Sequence, residues 1–89
     1  MRETYLEVTF RRGRAIAAYY YLPRRPGQKS YRTEEAAPGI LVDYGRGGHP
    51  IGIEITAPTK VTLTAMNRVL RALGQSLLRR DEFAPMRAA

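Results

Sequence analysis

The sequence predicts an α+β fold: an antiparallel β-meander of four to five strands with a C-terminal α-helix packed on one face. Three observations predict it. Between Pro38 and Thr56 two runs alternate at period two, Ile40, Val42 and Tyr44 against Leu41 and Asp43, then Ile51, Ile53 and Ile55 against Gly52, Glu54 and Thr56. Alternation of β-branched and aromatic residues marks strands with one buried face. Further strand-like runs precede these two at short spacing, the pattern of sequential antiparallel neighbours. Downstream, Leu63, Met66, Leu70 and Leu73 recur as one helical stripe, widened by Val69.

The elements follow in order. Thr4 to Phe10 reads as a first strand, with Leu6, Val8 and Phe10 on one face. Arg11-Arg12-Gly13-Arg14 is a turn, and Ala15 to Leu22 a second strand with Ile16, Ala18, Tyr20 and Leu22 on one face and Ala17, Tyr19 and Tyr21 on the other. That strand is apolar on both faces, which implies a central position or a second face covered by a partner. Two prolines and a glycine make LPRRPGQK a loop. Ser30 to Glu34 reads as a short edge strand, and Pro38-Gly39 turns the chain into the next.

Gly45-Arg46-Gly47-Gly48-His49 supplies the hairpin turn, because glycine tolerates positive φ. Both apolar triplets share one face only if the loop holds an even number of residues, so a loop of four or six without a bulge is expected. The helix spans about Leu63 to Leu73, with Thr62 as N-cap and Gly74 just past its end. It is expected on the Ile40/Val42/Ile53/Ile55 face, each fully buried side chain contributing roughly 1.5–3 kcal/mol before entropy. Arg68, Arg71 and Gln75 form its solvated edge. The tail, 75–89, contains one short helical turn before Pro85 and frays at Arg87-Ala88-Ala89, while Leu77, Leu78, Phe83 and Met86 either fold back on the core or reach a neighbouring subunit.

Eighty-nine residues make a single domain with a modest core, for which oligomerisation is a natural supplement. Absence of cysteine excludes disulfides and thiolate metal sites. No apolar run approaches membrane-spanning length and the N-terminus lacks a signal-peptide core, so a cytoplasmic location without membrane is expected. The net charge of +7 has two readings. It can serve polyanions. It can also reflect composition, since Arg far outnumbers Lys while Ala, Gly and Pro are common, and all four have GC-rich codons.

The run PGILVDY followed by IGIEI resembles the small bacterial domain-of-unknown-function family numbered twenty-two eighty-three. The matching positions are Glu35, Pro38, Gly39, Ile40, Val42, Asp43, Tyr44, Gly52, Ile53, Glu54 and Ile55, within a resemblance covering about residues 10 to 60. The family is usually acidic at the first turn and the hairpin turn; here those are Arg11-Arg12-Gly13-Arg14 and Gly45-Arg46-Gly47-Gly48. The resemblance implies no established catalytic activity. Because some family members neighbour toxin-like proteins, it implies an antitoxin-like role. With a charge of +7, docking on a basic toxin would need acidic residues clustered at the interface.

No catalytic, metal or cofactor constellation is present. His49 is the only histidine, Ser30 and Ser76 lack a context for nucleophile activation, and Asp43 and Glu54 read as polar-face residues bonded to backbone or to an arginine. The expected function is therefore a non-catalytic protein-interaction module. It is expected to be a homodimer that binds a protein partner, with Tyr19, Tyr21, Leu77, Leu78 and Phe83 as interface candidates. The alternative is nucleic-acid binding. In a meander alternate turns share an end, which would gather Arg24, Arg25, Lys29, Arg46 and His49 into an arginine-rich rim, with Arg68 and Arg71 as further phosphate contacts.

Overall fold

The computed structural model describes residues 3–87, so the expected fraying of Ala88 and Ala89 lies outside them. Five strands, β1 (Tyr5–Arg11), β2 (Arg14–Tyr21), β3 (Arg32–Ala37), β4 (Ile40–Tyr44) and β5 (Pro50–Ile55), precede a 3-10 turn at Pro58–Lys60 and helix α1 (Leu63–Ala72). A short helix α2 (Arg80–Phe83) runs into a further 3-10 turn at Ala84–Arg87. Pro85 therefore lies within a helical segment that the sequence reading ends before it.

All neighbouring strands are antiparallel, but the order is β1-β2-β5-β4-β3, not the sequential meander expected. The loop after β2 carries the chain to the far edge, and β5 returns to pair with β2. Burial explains the preference. β3 is RTEEAA and exposed along nearly its whole length, whereas β5 is buried at Ile51, Gly52, Ile53 and Ile55. A charged strand between β2 and β4 would bury carboxylates without partners, at high cost.

The β4–β5 hairpin also differs from expectation. Five residues separate Tyr44 from Pro50. Gly48 N–H donates to Gly45 O at 2.9 Å and Gly45 N–H to His49 O at 2.8 Å, with Gly48 at φ 88°. This odd loop is balanced by a register shift after Asp43, where Ile51 is the extra residue. Two parity changes cancel, so Ile40 and Val42 still face inward with Ile53 and Ile55. A second bulge, between Thr9 and Phe10, moves Ile16 outward to 42% exposure and buries Ala15 at 3%. A third interrupts β3 between Glu35 and Ala37, just before the tight Pro38-Gly39 turn, where Gly39 has φ 77°.

One buried cluster gathers Ala18, Tyr20, Leu22, Ile40, Val42, Ile53 and Ile55 from the strands and the residue after β2 with Met66, Val69 and Leu70 from α1. Thr62 caps α1 by accepting the Ala65 N–H at 3.0 Å. Gly74, at φ 71°, closes it: its N–H donates to Arg71 O, and Gln75 N–H to Leu70 O.

The tail joins the same cluster. Leu78 and Phe83, read as interface candidates, are 6% and 4% exposed within this chain, and Met86 is fully buried. They are core residues of the common cluster, while Leu77 stays exposed. Asn67 clamps the tail, its carboxamide donating to Leu78 O at 3.0 Å and accepting Leu78 N–H at 2.8 Å. The Arg87 guanidinium donates to Thr59 O at 2.8 Å and also to Val61 O, so Arg87 is tied down rather than frayed.

Candidate functional site

The register places two rows of side chains on the sheet face opposite the core. One row is Tyr5–Tyr21–Gly52–Asp43–Thr33, and the next is Glu7–Tyr19–Glu54–Leu41–Glu35. At Gly52 a side chain is absent and Tyr19 fills the space. A Cβ built there would collide with the Tyr19 hydroxyl and would lie 2.5 Å from a ring carbon. Tyr19 crosses β5 through this gap and donates its hydroxyl to Asp43 Oδ2 at 2.7 Å. The Thr33 hydroxyl donates to the other Asp43 oxygen. Asp43 is thus bonded to the Tyr19 and Thr33 hydroxyls, where backbone or an arginine was expected, and is a diagonal neighbour of Glu54.

Tyr21 stacks on Tyr5 with centroids 4.4 Å apart and meets Tyr19 edge-on at 4.7 Å. Its hydroxyl donates to Glu7 Oε1 at 3.1 Å, and the Arg24 guanidinium lies 5.3 Å from its ring centroid. These offset and edge contacts add about 0.5–1.5 kcal/mol per pair beyond area burial. Glu7, Glu35, Asp43 and Glu54 share this face, and no Arg or Lys lies in the two rows.

Burial, then the hydrogen bond to Asp43, pushes the Tyr19 phenol far above its ordinary value of 10.0. Tyr21 moves the same way through desolvation, then its bond to Glu7. Both hold their protons more tightly folded than unfolded. The stability they contribute is complete below pH 10 and is lost as pH rises through their folded values. Denaturant unfolding across alkaline pH is expected to show stability falling from about pH 10, with a shallower fall in Tyr19→Phe. An unchanged slope in that variant would count against the crossing.

The arginine-rich rim forms despite the altered strand order, because in an all-antiparallel sheet the end of β2, the start of β3 and the β4–β5 turn still share one end. Leu22 N–H donates to Ile51 O and Tyr31 N–H to Tyr44 O, pinning both ends of the β2–β3 loop to the hairpin. Gln28 lies across Gly45, where a Cβ would stand 2.5 Å from its Nε2, and its Oε1 accepts the Arg25 N–H. A cleft of about 730 Å³ opens here, lined by Arg24, Arg25, Gln28, His49 and Gln75 among others. An adjoining one of about 350 Å³ is lined by Lys29, Tyr31 and Arg46. Arg68 and Arg71 lie on α1, are exposed, and line neither cleft.

Of the family-motif residues, Pro38 and Gly39 make the β3–β4 turn, Tyr44 underlies the Arg32 guanidinium at 4.2 Å, and Asp43, Gly52 and Glu54 face outward from the core. Sequence reasoning did not single out Tyr5 and Glu7 as site residues. Their alternation was visible, but their neighbours depended on the β1–β2 register. Among the described residues no group of three His, Asp or Glu is placed to hold a metal ion, and no helix is long and apolar enough to cross a membrane. Residues 17–57 match the model of a family described as Protein of unknown function (DUF2283), so the chain resembles that family from β2 through β5. No curated protein and no solved structure matches the chain.

Proposed function

We propose that this chain is a non-catalytic protein-interaction module that receives a basic segment of a partner protein on the open face of its sheet. One observation carries the reading: Tyr5, Tyr19 and Tyr21 lie among Glu7, Glu35, Asp43 and Glu54 on a face separate from the core. Tyrosine supplies rigid amphipathic contact area, and its ring faces attract cations. Carboxylates complement Lys and Arg and steer their approach. The acidic cluster required for a basic partner is therefore available in a chain of net charge +7. An antitoxin-like role, implied by family resemblance alone, is a biological setting compatible with such a partner. A homodimer facing itself through Tyr19 and Tyr21 would set like carboxylates against one another, so this face favours an unlike partner.

Titration with an octa-arginine peptide at near-physiological salt, followed by tyrosine fluorescence, tests the face. A protein of net charge +7 repels such a peptide unless a local acidic field prevails. Saturable binding is expected, weakened at least about ten-fold, or roughly 1.4 kcal/mol, in Glu7→Gln/Glu54→Gln. Absence of binding, or binding indifferent to those substitutions, overturns the assignment.

A further inference from the structure

We propose that the rim at the β2–β3 and β4–β5 end binds a short single-stranded nucleic-acid segment. The surface adjoins the open sheet face at Arg24, whose guanidinium lies over Tyr21, but the inference does not depend on the reading of that face.

Three observations converge. First, the two clefts adjoin at one end of the sheet, with Gln28 and Gly47 lining both. Second, the charged lining is of one sign. Arg24 and Arg25 line one cleft with His49, Lys29 and Arg46 line the other, and no Asp or Glu lines either. In a chain with eight acidic residues, half of them on the open sheet face, no carboxylate lines either cleft. Third, Tyr31 projects at this end with 64% exposure, and the Arg46 guanidinium lies 5.2 Å from its ring centroid. A cationic track beside an exposed aromatic ring is the arrangement by which single strands are held: cations follow phosphates and a base stacks on the ring. Stacking requires an unpaired base, which selects a single strand over a duplex.

The rim is also built before any ligand arrives. Gln28 locks the β2–β3 loop over Gly45, and Tyr31 N–H is bonded to Tyr44 O at 2.7 Å. A pinned loop loses less conformational freedom on binding than a loose one.

The test is fluorescence anisotropy with labelled single-stranded RNA and DNA oligonucleotides, titrated between about 0.05 and 0.2 M salt. Two variants of equal net charge are compared, Arg25→Glu/Lys29→Glu/Arg46→Glu at the rim and Arg11→Glu/Arg12→Glu/Arg14→Glu at the opposite end of the sheet. Circular dichroism checks that each is folded. The rim variant is expected to lose at least about ten-fold in affinity and to lower the magnitude of the log–log salt slope by about 2, as for three lost phosphate contacts. The Arg11/Arg12/Arg14 variant is expected to keep a slope close to that of the parent. Tyr31→Ala is expected to lose about ten-fold without changing the slope. Equal losses in the two charge variants would mean that affinity follows net charge, and would overturn the site. Tighter binding to duplex, or full competition by tripolyphosphate with no effect of Tyr31→Ala, would overturn the single-strand assignment.

Discussion

Gly52→Ala is expected to lower the unfolding free energy by about 3 kcal/mol, a large effect for the addition of one methyl group. Gly52 is in an extended strand, so the cost does not come from backbone conformation. It comes from occupancy. The added Cβ would require the space taken by the Tyr19 hydroxyl and ring, and Tyr19 cannot withdraw without abandoning Asp43. Overpacking and the lost charge-assisted hydrogen bond therefore fall together. For a domain of this size the melting temperature should drop by about 10–20 °C. A double-mutant cycle isolates the cause. In a Tyr19→Ala background the space is vacant, and Gly52→Ala should cost less than about 1 kcal/mol. Equal costs in the two backgrounds would show that Tyr19 is not what excludes a side chain at Gly52.

Phe83→Ala is expected to cost about 3–5 kcal/mol, the loss of a buried aromatic side chain and the cavity left behind. Small domains have only about 5–15 kcal/mol in all. The ring lies in the common core with Leu78 and Met86, and Arg87 stands 5.4 Å from its centroid. Denaturant unfolding checks the prediction: the midpoint should fall substantially with the slope preserved. If Phe83 instead served a neighbouring subunit, the substitution would leave the unfolding of the isolated chain nearly unchanged.

The alternation of Ile40, Val42, Ile53 and Ile55 made the central hairpin legible in the sequence, and Thr62 and Gly74 marked the ends of the helix. Both signals are local: a strand shows its buried face at period two, and caps act within one turn. Strand order was not legible, because β2–β5 pairing joins residues such as Tyr19 and Glu54 that no short-range pattern connects. For that reason the Tyr19–Gly52–Asp43 crossing was hidden, although Asp43 and Gly52 stood out as motif positions. The bulges escaped notice for a related reason. Ile51 continues the apolar alternation in the sequence, yet it is the residue by which the register shifts. The tail was ambiguous because Leu78, Phe83 and Met86 span too few turns to declare a face. The rim was legible from turn parity alone, which survives any rearrangement that keeps the strands antiparallel.

The bulge in the outer strand β3 bears on how molecules of this protein behave toward one another. An open sheet leaves two rows of backbone groups that can template growth into cross-β aggregates. Here the outer strands are β1 and β3; β3 is interrupted after Glu35, where Ala36 is the extra residue, whereas the bulge opposite Thr9 and Phe10 has its extra residue, Ile16, in β2. A second sheet laid along β3 would lose its register at the interruption. The charged side chains of β3 and the Arg11-Arg12-Gly13-Arg14 turn beside β1 oppose such contact further. The irregularity of β3 and the charges beside both outer strands thus protect a five-stranded sheet with two open margins from colloidal self-association.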